Sequence, residues 1–315
     1  MKKVDFFIVG APKSGTTFLK KYISQNSKIF MPKIEPIYFC RDMNDLSEIK
    51  TMDQYLSLFG KNLSENNEIV CGEKSSNYLY SDNAYEEIYN HNPNAKIIIC
   101  LRNPVEAVVS FHNHNKIMGF ELINSFLESW RVQELRKSNN YKIPYYAKKE
   151  TMRYQYKYIY SYDIHVKKFI EKFGYENVKI IIFDEMIKKP QNTFNEIFDF
   201  LKVEKLVFEN IEPQNVKAKV DIKNTLSNSI FRFLVLYLKT KKIKVFTRKI
   251  KNIIPIKSFG FLIKPLKKKF YKLDVIVPNQ QDKFVEHKEL LIKEFRNSLL
   301  NLSKLIKKNL DYWMI

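Results

Sequence analysis

The sequence predicts an α/β fold of three layers, with a central parallel sheet between two layers of helices. Three observations carry that prediction. Phe6–Val9, Lys96–Leu101 and Val178–Phe183 are nearly unbroken apolar runs, as expected of strands buried on both faces. Segments with helical spacing alternate with them, which favours parallel strands joined by right-handed crossovers. The first strand also passes into the first helix through a glycine loop, Gly10 to Gly15.

In chain order, Phe6–Val9 is followed by a helix over Thr16–Gln25, with Phe18, Leu19, Tyr22 and Ile23 on one face and lysines on the other. A segment around Ile37–Phe39 follows turns at Pro32 and Pro36. Residues 53–67 read as helix ending in a polar Ser-Glu-Asn-Asn loop, and Ile69–Gly72 is a short strand leading into Glu73 and Lys74. A helix over 84–90 precedes the turn Asn92-Pro93-Asn94. Lys96–Leu101, the strongest strand, stops at Arg102-Asn103-Pro104 before another helix. Residues 120–172 are mainly helical and rich in tyrosine; Val178–Phe183 is a strand and Pro190–Leu201 a helix. From 216 to 273 lysine and arginine crowd together almost without acids, interleaved with Ile, Phe, Leu and Val. Asp282–Trp313 reads as a long amphipathic helix or helix pair. The simplest partition is a single domain over 1–315, with 216–273 as a basic, partly apolar subregion within it.

Composition narrows the class. A hydrophobic share of 45% supplies a core, and only 7 glycines argue against a linker-rich or disordered chain. The net charge of +20 attracts anionic partners and specifies only their sign. Cys40, Cys71 and Cys100 are odd in number and unpaired in spacing, so they give neither a disulfide framework nor a zinc pattern. They read as reduced core thiols, for which a cytoplasmic setting is expected. Met1–Gly10 has the look of a signal peptide, but its short apolar stretch runs straight into the glycine loop and reads as a strand. No apolar run reaches the roughly 18 residues of a membrane span. The histidines show no metal-ligand spacing, and His112 and His114 fall on different faces of a helix.

The loop Gly10-Ala11-Pro12-Lys13-Ser14-Gly15-Thr16-Thr17 has the ingredients of an anion cradle. Backbone amides converge there with the positive end of a helix dipole, and glycine lets the backbone approach closely. In a nucleotide-kinase loop a lysine directly follows the second glycine. Here Thr16 holds that place and Lys13 lies two residues before Gly15. Phosphoryl transfer needs Mg²⁺ to neutralise a highly charged γ-phosphate, whereas a sulfuryl group carries less charge and does without it.

Pro12-Lys13-Ser14-Gly15-Thr16-Thr17 resembles the 5′-phosphosulfate-binding loop of the sulfotransferase superfamily. Ile98–Glu106, continuing to Ser110-Phe111-His112, resembles that family's 3′-phosphate-binding strand, loop and helix. Gly72-Glu73-Lys74-Ser75-Ser76-Asn77-Tyr78 is similar to a segment of its glycan-modifying, heparan sulfate-type branch. Two departures stand out: the family's frequent Lys-Glu-Pro-His-Phe-Phe appears as Ile34–Phe39, and its Gly-x-Tyr appears as Tyr160-Ser161-Tyr162. Val178–Met186 and Leu302–Trp313 resemble the family's late strand and closing helix, so the likeness covers most of the chain and is weakest over 216–273.

The resemblance implies a nucleoside-kinase-like sheet and 3′-phosphoadenosine 5′-phosphosulfate (PAPS) as donor, with no metal required. It implies Glu73 as catalytic base and Lys13 as stabiliser of the leaving phosphate. Ser14, Gly15, Thr16 and Thr17 would complete the loop, Arg102 and Ser110 would grip the 3′-phosphate, and Tyr162 and Lys217 would lie near the nucleotide. Lys33, Glu35 and Lys74 are expected on the acceptor side. The acceptor is expected to be a carbohydrate, a glycolipid or a small molecule. Peripheral contact of 216–273 with an anionic membrane is a further expectation, and nucleic acid is not expected. The rivals are a nucleotide kinase, which requires ATP and Mg²⁺, and a non-catalytic glycan- or membrane-binding protein, which would not turn over.

Overall fold

The computed structural model describes residues 3–64, 68–144, 147–148, 150–211 and 281–315. The basic subregion 216–273, and Lys217 with it, lies outside the described residues.

Among the described residues, five parallel strands form one sheet in the order β2-β3-β1-β4-β5, comprising β1 (Phe6–Gly10), β2 (Ile29–Phe30), β3 (Val70–Lys74), β4 (Lys96–Leu101) and β5 (Val178–Ile182). All five residues of β1 are buried, as a central strand requires. Side chains alternate across the sheet, and the core divides accordingly. Phe6, Ile8, Ile98 and Cys100 pack on one face against α1 (Thr16–Ile23) and, late in the chain, α10 (Pro190–Leu201). Phe7, Val9, Ile97, Ile99 and Leu101 face the other layer. That layer holds α2 (Met52–Ser57), α3 (Ala84–His91), α4 (Pro104–Ile117), α7 (Tyr156–Tyr160) and α8 (Tyr162–Phe173). Short helices α5 (Phe126–Arg131) and α6 (Gln133–Asn139) follow α4, and α9 (Phe183–Lys188) follows β5 directly. The long α11 (Gln281–Ile306) buries Leu291, Phe295, Leu299 and Leu302 against the same layer as α8.

The three-layer prediction stands, with local corrections. The helix expected over 53–67 is only α2, capped by Thr51 Oγ1 accepting from the Gln54 amide (3.2 Å), followed by a 3-10 turn at Gly60–Leu63. The strand before β3 is Ile29–Phe30, whereas Ile37–Phe39 stays irregular because its amides bond to side chains at the end of β3. Residues 120–172 break into several short helices whose tyrosines 154, 156, 160 and 162 are fully buried. Gly72 is explained by space: a Cβ there would lie 2.1 Å from the Phe6 ring on the neighbouring strand. All three cysteines are free and buried. Among the described residues no helix is long and apolar enough to cross a membrane.

Candidate active site

The chain leaves β1 toward β2 on one side of the sheet, and from β3 it crosses over β1 to β4 on the other. The crevice at the carboxyl ends of these strands is where open α/β sheets bind ligands. Here β1 delivers the glycine loop, β3 delivers Glu73 and Lys74, and β4 delivers Arg102.

The loop is built around its glycines. Gly15 has φ +87°, and a Cβ there would lie 2.7 Å from Met186 Cε and 2.8 Å from Phe183 Cδ2, both on α9. Lys13 sits at the apex with φ +61°. Ser14 is fully buried, and the Pro12 carbonyl accepts from the Tyr160 hydroxyl (3.1 Å) and from Ser14 Oγ (3.4 Å). The bond from the Leu19 amide to Gly15 O opens α1 (3.0 Å). The amides ahead of it in the first turn, those of Thr16 and Thr17 included, have no partner within the helix.

Arg102 stands beside this loop. Its guanidinium lies 4.9 Å from the Phe183 ring centroid and donates to Glu106 Oε2 (2.7 and 3.1 Å). Phe183 therefore borders both Arg102 and the space that a side chain at Gly15 would need. Asn103 caps α4 by accepting from the Val105 amide (3.0 Å), and its Nδ2 donates to the Trp313 carbonyl (3.2 Å). The buried Trp313 indole in turn donates to Asp184 (3.0 Å), so the C-terminal turn pins the Arg102–Asn103 corner. Ser110 is half-buried on α4, two turns beyond that corner. Tyr162 is fully buried close to Ser14 and the Arg102 backbone, yet its hydroxyl makes no hydrogen bond of good geometry.

Lys13, Arg102 and Lys74 form a cationic cluster. Desolvation first, then Arg102 and Lys74, hold the Lys13 ammonium below its ordinary pKa. An anion among the three relieves that repulsion. His114, which the sequence reading set aside, belongs to this neighbourhood. Burial first, then Lys13, Arg153 and Lys74, push its pKa down to about 4, so it is neutral at physiological pH. The signal available in the sequence was its place on the helix that carries Ser110. His112 is different: it is buried and hydrogen-bonds Ile123 O and Ser129 Oγ (both 3.1 Å), a structural role.

Glu73 and Lys74, consecutive on β3, point to opposite faces of the sheet. Lys74 faces α1, where its Nζ donates to Thr17 Oγ1 (3.2 Å) and pairs with Glu35. Thr17, Lys20, Lys21, Lys33, Glu35 and Lys74 line a cavity of about 300 Å³ beside the loop. Glu73 faces the other way, 1% exposed, between Tyr55 (3.3 Å) and Ser75 (3.4 Å). Burial raises its pKa to about 8 against the hydrogen bonds of Tyr78, Tyr55 and Ser75. Glu73, expected as the catalytic base, is thus enclosed on the face away from the cavity, with burial favouring its protonated form. Glu35, expected only to touch substrate, has a side chain 38% exposed at the cavity margin.

The raised pKa has a measurable consequence. Between the ordinary value of 4.5 and about 8, the unfolded chain ionises this carboxyl while the folded one keeps its proton. Stability therefore falls as pH rises through that window, by up to about 1.4 kcal/mol per pH unit from this group. Glu73→Gln is expected to remove that slope, so chemical melts at pH 8 should find the variant more stable than wild type, and the two should converge near pH 5. An identical pH dependence in both would contradict the burial argument. Among the described residues no cluster of His, Cys, Asp and Glu is arranged to hold a metal.

A family model described as "Sulfotransferase domain" matches residues 3–249. The chain is 25% identical over 221 residues to the bifunctional heparan sulfate N-deacetylase/N-sulfotransferase 1 of Caenorhabditis briggsae, covering 65% of this chain and 23% of that protein. It is 26% identical over 145 residues to the carbohydrate sulfotransferase 15 of Homo sapiens, covering 33% of this chain and 26% of that protein. The matched regions thus span about a quarter of the length of these curated relatives. Among solved structures, a sulfotransferase from Alicyclobacillus acidocaldarius matches over 100% of both chains, with a TM-score of 0.67 and 22% identity, a likeness of fold.

Proposed function

The chain belongs to the sulfotransferase domain family, and from that premise we propose that it transfers a sulfuryl group from PAPS to a hydroxyl or amine of a carbohydrate. The observation that carries this reading is the convergence of Lys13, Arg102 and Lys74 on a glycine loop at the sheet's switch point, with Glu35 at the edge of the adjoining cavity. The carbohydrate part draws on the names of the relatives.

In this reading the loop amides, Lys13, Thr16 and Thr17 hold the 5′-phosphosulfate, while Arg102 and Ser110 hold the 3′-phosphate. Arginine's planar fork suits phosphate oxygens, and a 3′-phosphate would compete with Glu106 for it. The acceptor oxygen or nitrogen attacks sulfur in line, forming the new S–O or S–N bond. The bond from sulfur to the bridging phosphate oxygen breaks, and its electron pair stays on the phosphate, whose charge Lys13 stabilises. The acceptor's proton goes to the Glu35 carboxylate, which is close enough to Lys74 and Thr17 to face the same reacting centre. Lys33 and Lys21 line the acceptor side.

Calorimetry with the two product nucleotides tests the donor assignment. The protein is expected to bind 3′-phosphoadenosine 5′-phosphate tighter than AMP by about tenfold to a hundredfold, since a charge-assisted contact contributes about 1.5–3 kcal/mol. Arg102→Ala is expected to erase most of that preference, and equal affinities in wild type would refute it. Incubation with ³⁵S-labelled PAPS and N-desulfated heparan sulfate then asks for labelled glycan; label captured only by non-carbohydrate acceptors would overturn the acceptor class.

A further inference from the structure

We infer that Lys20 is a positioning residue for this reaction, fixing Glu35 relative to the donor loop through backbone carbonyls. The inference rests on Glu35 as the base.

Lys20 lies on α1, whose first residues close the donor loop. Its Nζ donates to Pro32 O (2.5 Å) and Lys33 O (3.1 Å) and lies 3.4 Å from Ile34 O. Extended chain points successive carbonyls in different directions, so three in a row on one ammonium means that the backbone curls around it. An ammonium has three protons to give and satisfies all three. The next residue is Glu35.

Beyond Glu35 the chain is held by other bonds. Ser47 Oγ donates to Pro36 O (2.7 Å), Ser75 Oγ accepts from the Ile37 amide (3.0 Å), and the Tyr78 hydroxyl accepts from the Tyr38 amide (3.0 Å). Ile37 itself has φ +51°, a conformation that a β-branched residue adopts only when its surroundings impose it. Glu35 thus sits between two tethers, and among the described residues the N-terminal one is Lys20. One short helix carries the donor cradle at its start and the base tether one turn later, so donor and base share a rigid body. Small misplacements of a reacting group lower rates by on the order of 10²-fold without a matching loss of affinity.

The structure offers a reporter of Glu35 that needs no activity. The Ser76 amide donates to Glu35 Oε2 (3.4 Å), while the neighbouring Ser75 amide donates to Ile8 O within the sheet (3.1 Å). In Lys20→Met, amide exchange followed by NMR is expected to lose protection at Ser76 and keep it at Ser75. Single-turnover transfer from ³⁵S-labelled PAPS, read both to N-desulfated heparan sulfate and to water as free sulfate, is expected to fall about tenfold to a hundredfold. Affinity for 3′-phosphoadenosine 5′-phosphate should stay within about twofold. Lys20→Arg, which keeps charge and donors, should recover most of the loss. In a Glu35→Gln background, Lys20→Met should cost little more, because residues acting through one another are not additive.

An equal loss in both backgrounds, or unchanged Ser76 exchange with wild-type transfer, overturns the inference. If Lys20→Met does not fold, Lys20→Gln and Lys20→Arg carry the same comparisons. Wild-type transfer by Glu35→Gln alone sinks the base assignment instead, and the Ser76 exchange then still reports whether Lys20 holds the loop.

Discussion

Glu35→Gln is expected to lower the rate of sulfuryl transfer by about 10²–10⁴-fold, the usual contribution of a general base, while leaving nucleotide affinity within a few-fold of wild type. Glutamine keeps the length of the side chain and one acceptor oxygen for Lys74, but takes no proton at neutral pH. The paired variant is Glu73→Gln. That carboxyl is 1% exposed and burial raises its pKa to about 8, so the amide is close to an isostere of the protonated form that burial favours. Near wild-type transfer is expected from it. Single-turnover assays with labelled PAPS under conditions where chemistry limits the rate make the comparison. A collapse of transfer in the Glu73 variant with wild-type transfer in the Glu35 variant would restore Glu73 as the base and make Glu35 a substrate contact. The Lys74–Glu35 pair, with side-chain exposures of 5% and 38%, also sets a condition on the chemistry. In the proposed mechanism the ammonium loosens its hold on Glu35 as the carboxylate takes a proton, and phosphosulfate bound at Thr17 would supply a competing anion for it.

How much of this was legible in the sequence depended on the range of the interactions concerned. The strands Phe6–Gly10 and Lys96–Leu101 were readable because burial on both faces writes itself as unbroken apolar runs. The glycine loop was readable because it is contiguous, with Lys13, Gly15 and Thr16 confined to one turn between strand and helix. Arg102 was readable as the point where an apolar strand stops. The separation of Glu73 from the cavity that Lys74 and Glu35 share was not, although half of the clue was local. Strand alternation alone says that Glu73 and Lys74 cannot face the same cavity. Which of them faces α1 depends on Gly72 sharing its face with Phe6, a cross-strand fact. That Glu35 meets Lys74 depends on contacts across about forty residues of chain, none of which leaves a periodic trace. The break-up of 120–172 into short helices was hidden for a similar reason. A buried Arg136–Glu121 pair, tied to Tyr156, organises that region from the inside. Charged residues there read as solvated surface until their partners are seen.

Lys13→Ala is expected to be as damaging as loss of the base but different in kind, since it should weaken nucleotide binding as well as turnover. In the proposed mechanism Lys13 faces the phosphosulfate in the ground state and the charge that builds on the departing phosphate oxygen in the transition state, so both parameters should fall. Removing one preorganised donor from developing negative charge costs about 2.7–4 kcal/mol, or roughly 10²–10³ in rate. Alanine accepts the φ of +61° at the loop apex no better and no worse than lysine, so the backbone penalty is already present in wild type and the comparison isolates the ammonium. Lys13→Arg is not a conservative control, because a planar fork does not replace a point charge at a tight apex. A pH signature separates electrostatics from packing. Desolvation, with Arg102 and Lys74 adding to it, lowers the Lys13 pKa. Wild type should therefore lose affinity for 3′-phosphoadenosine 5′-phosphate on an alkaline limb lying below the usual lysine range, as the ammonium gives up its proton. Lys13→Ala should show lower affinity throughout and no such limb. Calorimetric titrations across neutral and alkaline pH would read both features. An alanine variant that binds and turns over like wild type, or that keeps the alkaline limb, would remove Lys13 from the anion cradle and leave the charge to Arg102 and Lys74.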